Sequence, residues 1–451
     1  MFLSIVLSTL IAICFAMIMA AREQTVTSRA DALIHLAGES LMGEYHRDIL
    51  DEYGLFLLEG NEEELTGHLR SYLTPSLSAM KDVSVSDMKA SGGRYAIVDP
   101  EPIRQQILGR MKTGGRVLLP GKSGGSSGGS GSSDEGSGGS RGPAGTGQSS
   151  TAPAGSGSSG SSSSAGRHLH HGPTIASLPS RQMPEGGGLL AAIDRLTREG
   201  GLSRAFTDGT EDFLLSSYIL DTFNSRSRLD RPGHFFRNET EYILWGKLSD
   251  EENAKATDRA LRTLRIPANL AHIYADSSKR ETLTAASEAI APGPAGAAVQ
   301  AILAATWAWA ESENDLALLL QGDPVPLIKS RETWALDLED VVKNMISGAL
   351  SPEKFEPRED GSAYDPEPES LLKGGRPVIR PAKKEGLSYD QYLRILLFSQ
   401  EDQMTVMRAL DLIQINVRQD MDGLFLISEQ CTGISLEMTV NHRSFRYEKQ
   451  Y

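Results

Sequence analysis

The sequence predicts an α+β protein, mainly helical, with a single N-terminal transmembrane helix that continues into a helical stem, and a soluble head closed by a C-terminal β-hairpin. Three observations carry this prediction. An uncharged apolar run opens the chain. Apolar residues recur at steps of three and four over most of the remaining length, and the last residues alternate in polarity around a turn dipeptide.

The opening run, Phe2 to Ala21, reads FLSIVLSTLIAICFAMIMAA. As a helix rising 1.5 Å per residue it is about 30 Å long, the thickness of a bilayer's hydrocarbon core. A cleavable signal peptide has a basic leading region, a shorter apolar core and a small-residue cleavage site. Here no Lys or Arg precedes the run and Met19-Ala20-Ala21 matches a cleavage site poorly, so residues 1–21 read as an anchor. From Arg22 to Tyr53 no proline interrupts the chain. Val26, Ala30, Leu33, Ile34, Ala37, Leu41, Tyr45 and Ile49 mark one face of a stem helix running to Tyr53. Only Arg22 and Arg29 lie near the membrane ends, both on the C-terminal side, and they give orientation little support.

Stem and a small α+β segment make up residues 22–120. Within it Gly54–Leu58 reads as a short buried strand or helix end, Glu62–Leu73 as a helix and Val83–Met88 as a strand with one wet face. Glu101–Lys112 reads as a helix with Pro102 in its first turn. Residues 121–188 are dominated by Gly and Ser with almost no large apolar side chain. Such a stretch buries too little surface to offset chain entropy, and is expected to be a disordered linker or insertion.

The head, residues 189–451, is expected to be mainly helical. Helices are predicted over Leu189–Arg198 and Asp212–Phe223, and a strand over Glu239–Trp245, ended by Gly246. Ser249 is an N-cap with Glu252 three residues on, opening a helix to Tyr274. Further helices are predicted over Asp276–Ile290, Pro294–Leu320 (closed by Gly322), Tyr389–Phe398 and Glu401–Gln419. Ile434–Val440 and Ser444–Lys449 alternate about Asn441-His442, as a hairpin does. The apolar stretch Ala297–Ala310 contains Gln300 and meets Glu311 and Glu313, too short for a second span and suited to a buried core helix.

Charge and motifs narrow the function classes. The chain of 451 residues carries a net charge of -14 and has no basic patch interleaved with aromatics, which argues against nucleic acid as a partner. Its two cysteines, Cys14 in the apolar run and Cys431 near the C-terminus, form no disulfide framework. His168, His170 and His171 could ligate a metal, but they sit in the Gly/Ser tract without a carboxylate cluster and read as incidental. Glu311 and Asp315, four apart on one helix, could act as paired carboxylates. No Glu-x-x-His partner accompanies them, so a solvated helix end or an ion pair with Lys329 is expected. Asn238-Glu-Thr240 is a chance sequon, and Trp307 and Trp309 read as core residues. Outside the Gly/Ser tract there is no nucleophile elbow, phosphate loop, dinucleotide fingerprint or H-E-x-x-H run. No catalytic, cofactor-binding or metal-ligating residue is assigned, and no cofactor is expected.

Several stretches carry a family resemblance. They are Ala21-Arg22, Gly43-Glu-Tyr-His-Arg-Asp-Ile-Leu50, Glu52-Tyr-Gly-Leu-Phe56 and Gln106–Lys112 in the first part of the chain. Later come Glu241–Gly246, Glu252-Asn253, Trp309-Ala-Glu311 with Asp315, Val325–Lys329, Tyr389, Tyr392 and Cys431-Thr-Gly433. They resemble an uncharacterised group of membrane-anchored proteins of Gram-positive bacteria found with tight-adherence (Flp-type) pilus genes, TadE/TadG-like in layout. The resemblance implies a single-pass cell-membrane protein with its bulk outside the cytoplasm. Its expected role is a non-enzymatic pilin-like or scaffold component of pilus assembly or display, with the lipid bilayer and other pilus or envelope proteins as partners. A membrane-tethered extracytoplasmic enzyme such as a wall hydrolase, using Glu311 and Asp315, is the alternative.

Overall fold

The computed structural model describes residues 2–80, 83–97, 99–113, 169, 173–183, 203, 206–231, 233–346, 378–420 and 422–451.

The chain opens with helix α1, Phe2–Met42, in which two chemistries are joined end to end. Residues 6–25 are exposed and apolar over most of their length, and this is the helix among the described residues long and apolar enough to cross a membrane. From Val26 the helix becomes one-sided. Ala30, Ile34, Ala37 and Leu41 are buried in a cluster with Leu65, Leu69, Leu436, Met438 and Tyr447. Full burial of a side chain such as Ile34 or Leu41 contributes roughly 1.5–3 kcal/mol. At Gly38 a methyl group would lie 2.3 Å from the Tyr447 ring, so the absent side chain lets the last strand approach the helix axis.

The stem helix expected to reach Tyr53 stops earlier. It ends at Met42, turns at Gly43-Glu44 and restarts as α2, Arg47–Tyr53. The break is stabilised locally. His46 N–H donates to Leu57 O at 2.9 Å, and Tyr45 packs edge-on against Phe56, with ring centroids 5.1 Å apart. Gly54 closes α2 in the left-handed region (φ 69°). The stretch expected at Gly54–Leu58 is buried loop leading into a two-residue strand β1, Leu58–Glu59.

Helix α3, Glu62–Ser78, runs past the expected end at Leu73 and through Pro75, because Leu65, Leu69, Leu73 and Leu77 keep one buried row. Strand β2 spans Val85–Ser91 and helix α4 Glu101–Lys112. At the other end of the chain lie β3 (Gln430–Cys431), β4 (Gly433–Val440) and β5 (Arg443–Gln450). The hairpin β4–β5 turns through Asn441 and His442, both with positive φ (49° and 65°), as a two-residue primed turn requires. It is extended by β2, giving an antiparallel sheet of order β2-β4-β5, while β1 pairs separately with β3. Helix α1 and helix α3 pack on this sheet.

The remaining helices are α5 (Glu211–Thr222), α6 (Glu239–Trp245), α7 (Asp250–Ala275), α8 (Ser277–Ile290) and α9 (Gly296–Leu320). Then come α10 (Leu338–Ile346), α11 (Tyr389–Phe398) and α12 (Asp402–Asp420). Glu239–Trp245, expected as a strand, is helical. Residues 239–244 are all buried, so no polarity period betrays the state, while Gly246 (φ 62°) supplies a left-handed C-cap. The helix predicted at 189–198 and His168, His170 and His171 lie outside the described residues.

The tract expected to be structureless through residue 188 is ordered near its end. Leu178 is buried, and Ser180 donates to Asp411 of α12 through its N–H at 2.9 Å. Leu169, Ile175 and Leu178 give that end the apolar surface the Gly/Ser stretch lacks.

Candidate functional site

A dense polar arrangement lies on α9. Its first half is apolar, and Trp307 and Ala308 are buried against Trp334 and Leu338. Its second half reads Glu311-Ser-Glu-Asn-Asp315, and all five are buried. Successive residues on a helix point about 100° apart, so a run of polar side chains buried all round must meet partners on every side. It does. Asn314 exchanges two hydrogen bonds with the backbone of Ile379, at 2.8 and 2.9 Å. Arg262 of α7 grips Glu313 through Nε and, at 3.1 Å, Nη2. Ser312 donates to Ala308 O at 2.7 Å and accepts from Asn269 at 3.1 Å.

Glu311 and Asp315 converge on Lys329. Its Nζ is paired with Glu311 Oε1 and lies 2.6 Å from Asp315 Oδ1. The N–H groups of Ala335 (3.0 Å) and Leu336 (2.9 Å) donate to the two oxygens of Glu311. Arg265 of α7 holds Asp315 Oδ2 through Nε (3.1 Å) and Nη2 (2.9 Å), and Asn269 donates to the same oxygen at 3.1 Å. The other guanidinium nitrogen of Arg265 donates to Pro326 O and Leu327 O at 2.8 and 2.7 Å. Two cations and two anions thus share one enclosed volume, with Trp334 over Lys329 at 5.4 Å. Burial raises the Glu311 carboxyl above the usual carboxylate range, and Lys329 opposes that rise. The expectation of an ion pair with Lys329 is met, whereas a solvated helix end is not. The reason is long-range: the 325–336 segment and α7 cover both acids.

A second cluster joins α2 to the head. His234 Nε2 donates to Glu52 Oε1 at 2.6 Å, and Nδ1 donates to both oxygens of Glu239 at 2.9 Å. Glu239 also accepts from Asn416 Nδ2 (2.8 Å) and Asn224 N (2.9 Å). Burial lowers the pKa of the His234 imidazole, but its two carboxylate partners outweigh this and raise it to about 9. The ring is therefore an imidazolium at neutral pH. Its two acids sit at opposite ring nitrogens, an arrangement that suits a clamp and not a chelate. Among the described residues no group of three or more His, Cys, Asp or Glu is placed to hold a metal ion.

Burial pushes two further acids up. Glu241 reaches about 7, although Arg226 N and Tyr389 OH donate to its Oε1, and its Oε2 has no hydrogen-bond partner. Asp411 reaches about 6 while accepting from Ser180 and Tyr242. The side chain of Asn238, in the sequon, is buried and donates to Asp250 O at 3.1 Å. Burial drives the Cys431 thiol up to about 11, away from the reactive range.

Sequence reasoning finds Glu311, Asp315 and Lys329 but misses Arg265, Asn269 and His234. A signal for two of these exists. Leu261, Arg265, Asn269 and Ile273 recur every fourth residue, and the outer two are apolar, placing an Arg and an Asn in a buried row.

The fold and these clusters define a mainly helical α+β protein with an N-terminal apolar helix and a head stabilised by buried ion networks. The chain belongs to a family of unknown function (DUF5702), whose model matches residues 176–442, more than half of the chain. No curated protein and no solved structure matches it.

Proposed function

We propose that this is a non-enzymatic, membrane-anchored envelope protein acting as a pilin-like or scaffold component of tight-adherence pilus assembly or display. The observation that carries the reading is the division of α1. Residues 6–21 are exposed and mostly apolar, while residues 26–42 pack on the β2-β4-β5 sheet. A helix half unpartnered and half fused to a sheet suits lateral packing against other such helices in a bilayer. The head then lies outside the cytoplasm and offers surfaces to protein partners.

The enzymatic alternative draws on Glu311 and Asp315, which do converge. Lys329 and Arg265 occupy their oxygens, however, which leaves no carboxylate poised toward a substrate.

Photo-crosslinking residues placed at Leu10 and Phe15 in the intact protein test the proposal in its native membrane. Adducts with other single-helix pilus or envelope subunits are expected, together with loss of pili on gene deletion. Unaltered pilus formation and subunit secretion in the deletion strain refute it.

A further inference from the structure

We propose that Lys329 and Glu311 condense into an intramolecular amide bond that staples the 325–336 segment to α9. The inference is independent of the role assigned above.

The geometry supplies each part such a reaction needs. Nucleophile and electrophile are in contact, since the Lys329 amine is paired with Glu311, and both are buried. Holding two reacting groups in one fixed place removes the translational part of the barrier to their reaction. The Glu311 carboxyl receives N–H groups from Ala335 and Leu336, one on each oxygen, the donors that polarise a carboxyl and hold a tetrahedral oxyanion. Asp315 Oδ1 lies 2.6 Å from the amine, so it is placed to relay protons. Its other oxygen is held by Arg265, which fixes the Asp315 carboxyl with Oδ1 toward the amine.

The step balances without an outside reagent. Asp315 carries one proton from Nζ to Glu311 Oε1, leaving a neutral amine beside a carboxylic acid, and the amine attacks Cδ. Asp315 then carries a second proton from the nitrogen to the same oxygen as the Cδ–Oε1 bond breaks. Two of the three ammonium protons leave on that oxygen as water and the third stays on the amide nitrogen. Nothing is oxidised or reduced.

Burial also favours the product. Each enclosed ion carries a desolvation cost, and condensation replaces one cation and one anion by a neutral amide. The Arg265–Asp315 pair remains, still balanced in charge.

Peptide mass spectrometry of the full chain, purified from membranes and denatured, tests this directly. Trypsin does not cut after an acylated lysine. The expected peptide therefore runs from Glu281 to Arg331 uncut at Lys329, weighs one water less than its sequence, and gives no backbone fragments between Glu311 and Lys329. Lys329→Arg removes the acceptor and restores full mass and cleavage. Asp315→Asn, with the relay lost, leaves most of the chain unlinked. A wild-type peptide ending at Lys329 with full mass overturns the proposal whatever the variants do, as does a missing water that maps elsewhere.

Discussion

Replacing His234 by Gln should remove a stability term that operates at neutral pH and disappears in alkali. The imidazole titrates near 9 in the fold against an ordinary 6.5. A group whose folded pKa is raised contributes its full stability below the unfolded pKa and loses it as pH rises through the folded one. The window is therefore about pH 6.5 to 9. The difference of about 2.5 units corresponds to about 3 kcal/mol. Among the other buried acids that burial raises, Glu241 titrates at about 7 and Asp411 at about 6. Raised acids lose stability as pH climbs from their unfolded values to their folded ones, so both are finished near pH 7. Between about pH 7.5 and 9 the clamp stands alone among these three.

The assay is thermal unfolding of the detergent-solubilised full chain, wild type and His234→Gln, from pH 6 to 9.5. About 3 kcal/mol amounts to a Tm gap on the order of 5–10 °C for a domain of this size. That gap should be present at pH 6 and mostly closed by pH 9.5. A gap independent of pH would mean that His234 acts by packing alone, and the charge argument would fail.

Other perturbations draw on the same geometry. Arg265→Met removes the guanidinium that holds the buried Asp315 Oδ2; a loss of about 3–5 kcal/mol is expected in denaturant melts, the scale of breaking a buried ion pair. Glu241→Gln fills the orphaned Oε2 position with a donor and removes a buried charge, so it should stabilise the protein at pH 8 and do little at pH 5. Equal effects at both pH values would refute that assignment. Gly38→Val drives a side chain into Tyr447 and should cost about 1–3 kcal/mol, read as earlier proteolysis at the junction of α1 and β5. A fragment of residues 176–442 lacks β2 and β5, exposing both edges of β4, and should aggregate where the longer chain does not.

Legibility in the sequence tracks whether an element's partner is local. The hairpin is readable because its alternation and its Asn441-His442 turn lie within a few residues of each other. Tyr389–Phe398 is readable because Ser388 and Gln391 form a capping box at its own start. Glu239–Trp245 is mistaken for a strand because every residue from 239 to 244 is buried, and a helix wetted on no face has no period to detect. The break at Gly43 is hidden because Tyr45 and Ile49 continue the apolar spacing. The packing of Tyr45 is set instead by Phe56 and Tyr451, one of them at the far end of the chain. The Glu311–Asp315 run is obscured for a related reason. Acids at the end of an apolar helix look solvated until Arg265, earlier in the chain, and Lys329, after the helix, are known to close over them.

These long-range contacts also tie the matched family segment to residues outside it. Residues 176–442 contain His234, Glu239 and Asn416, yet the clamp they form closes on Glu52, outside the segment. Tyr53 next to it accepts at its backbone oxygen from Tyr218 OH at 2.8 Å, so α2 is fixed to the head by a charged and a neutral contact side by side. The same α2 follows α1 by a turn of only a few residues, and α1 is fused to the sheet whose central strand β4 belongs to the segment. Force or displacement applied to the N-terminal helix therefore reaches the head by two routes, through the sheet and through the clamp. The sheet route rests on apolar burial, which changes little with pH, while the clamp is strongest where His234 is protonated. At neutral pH both routes act together.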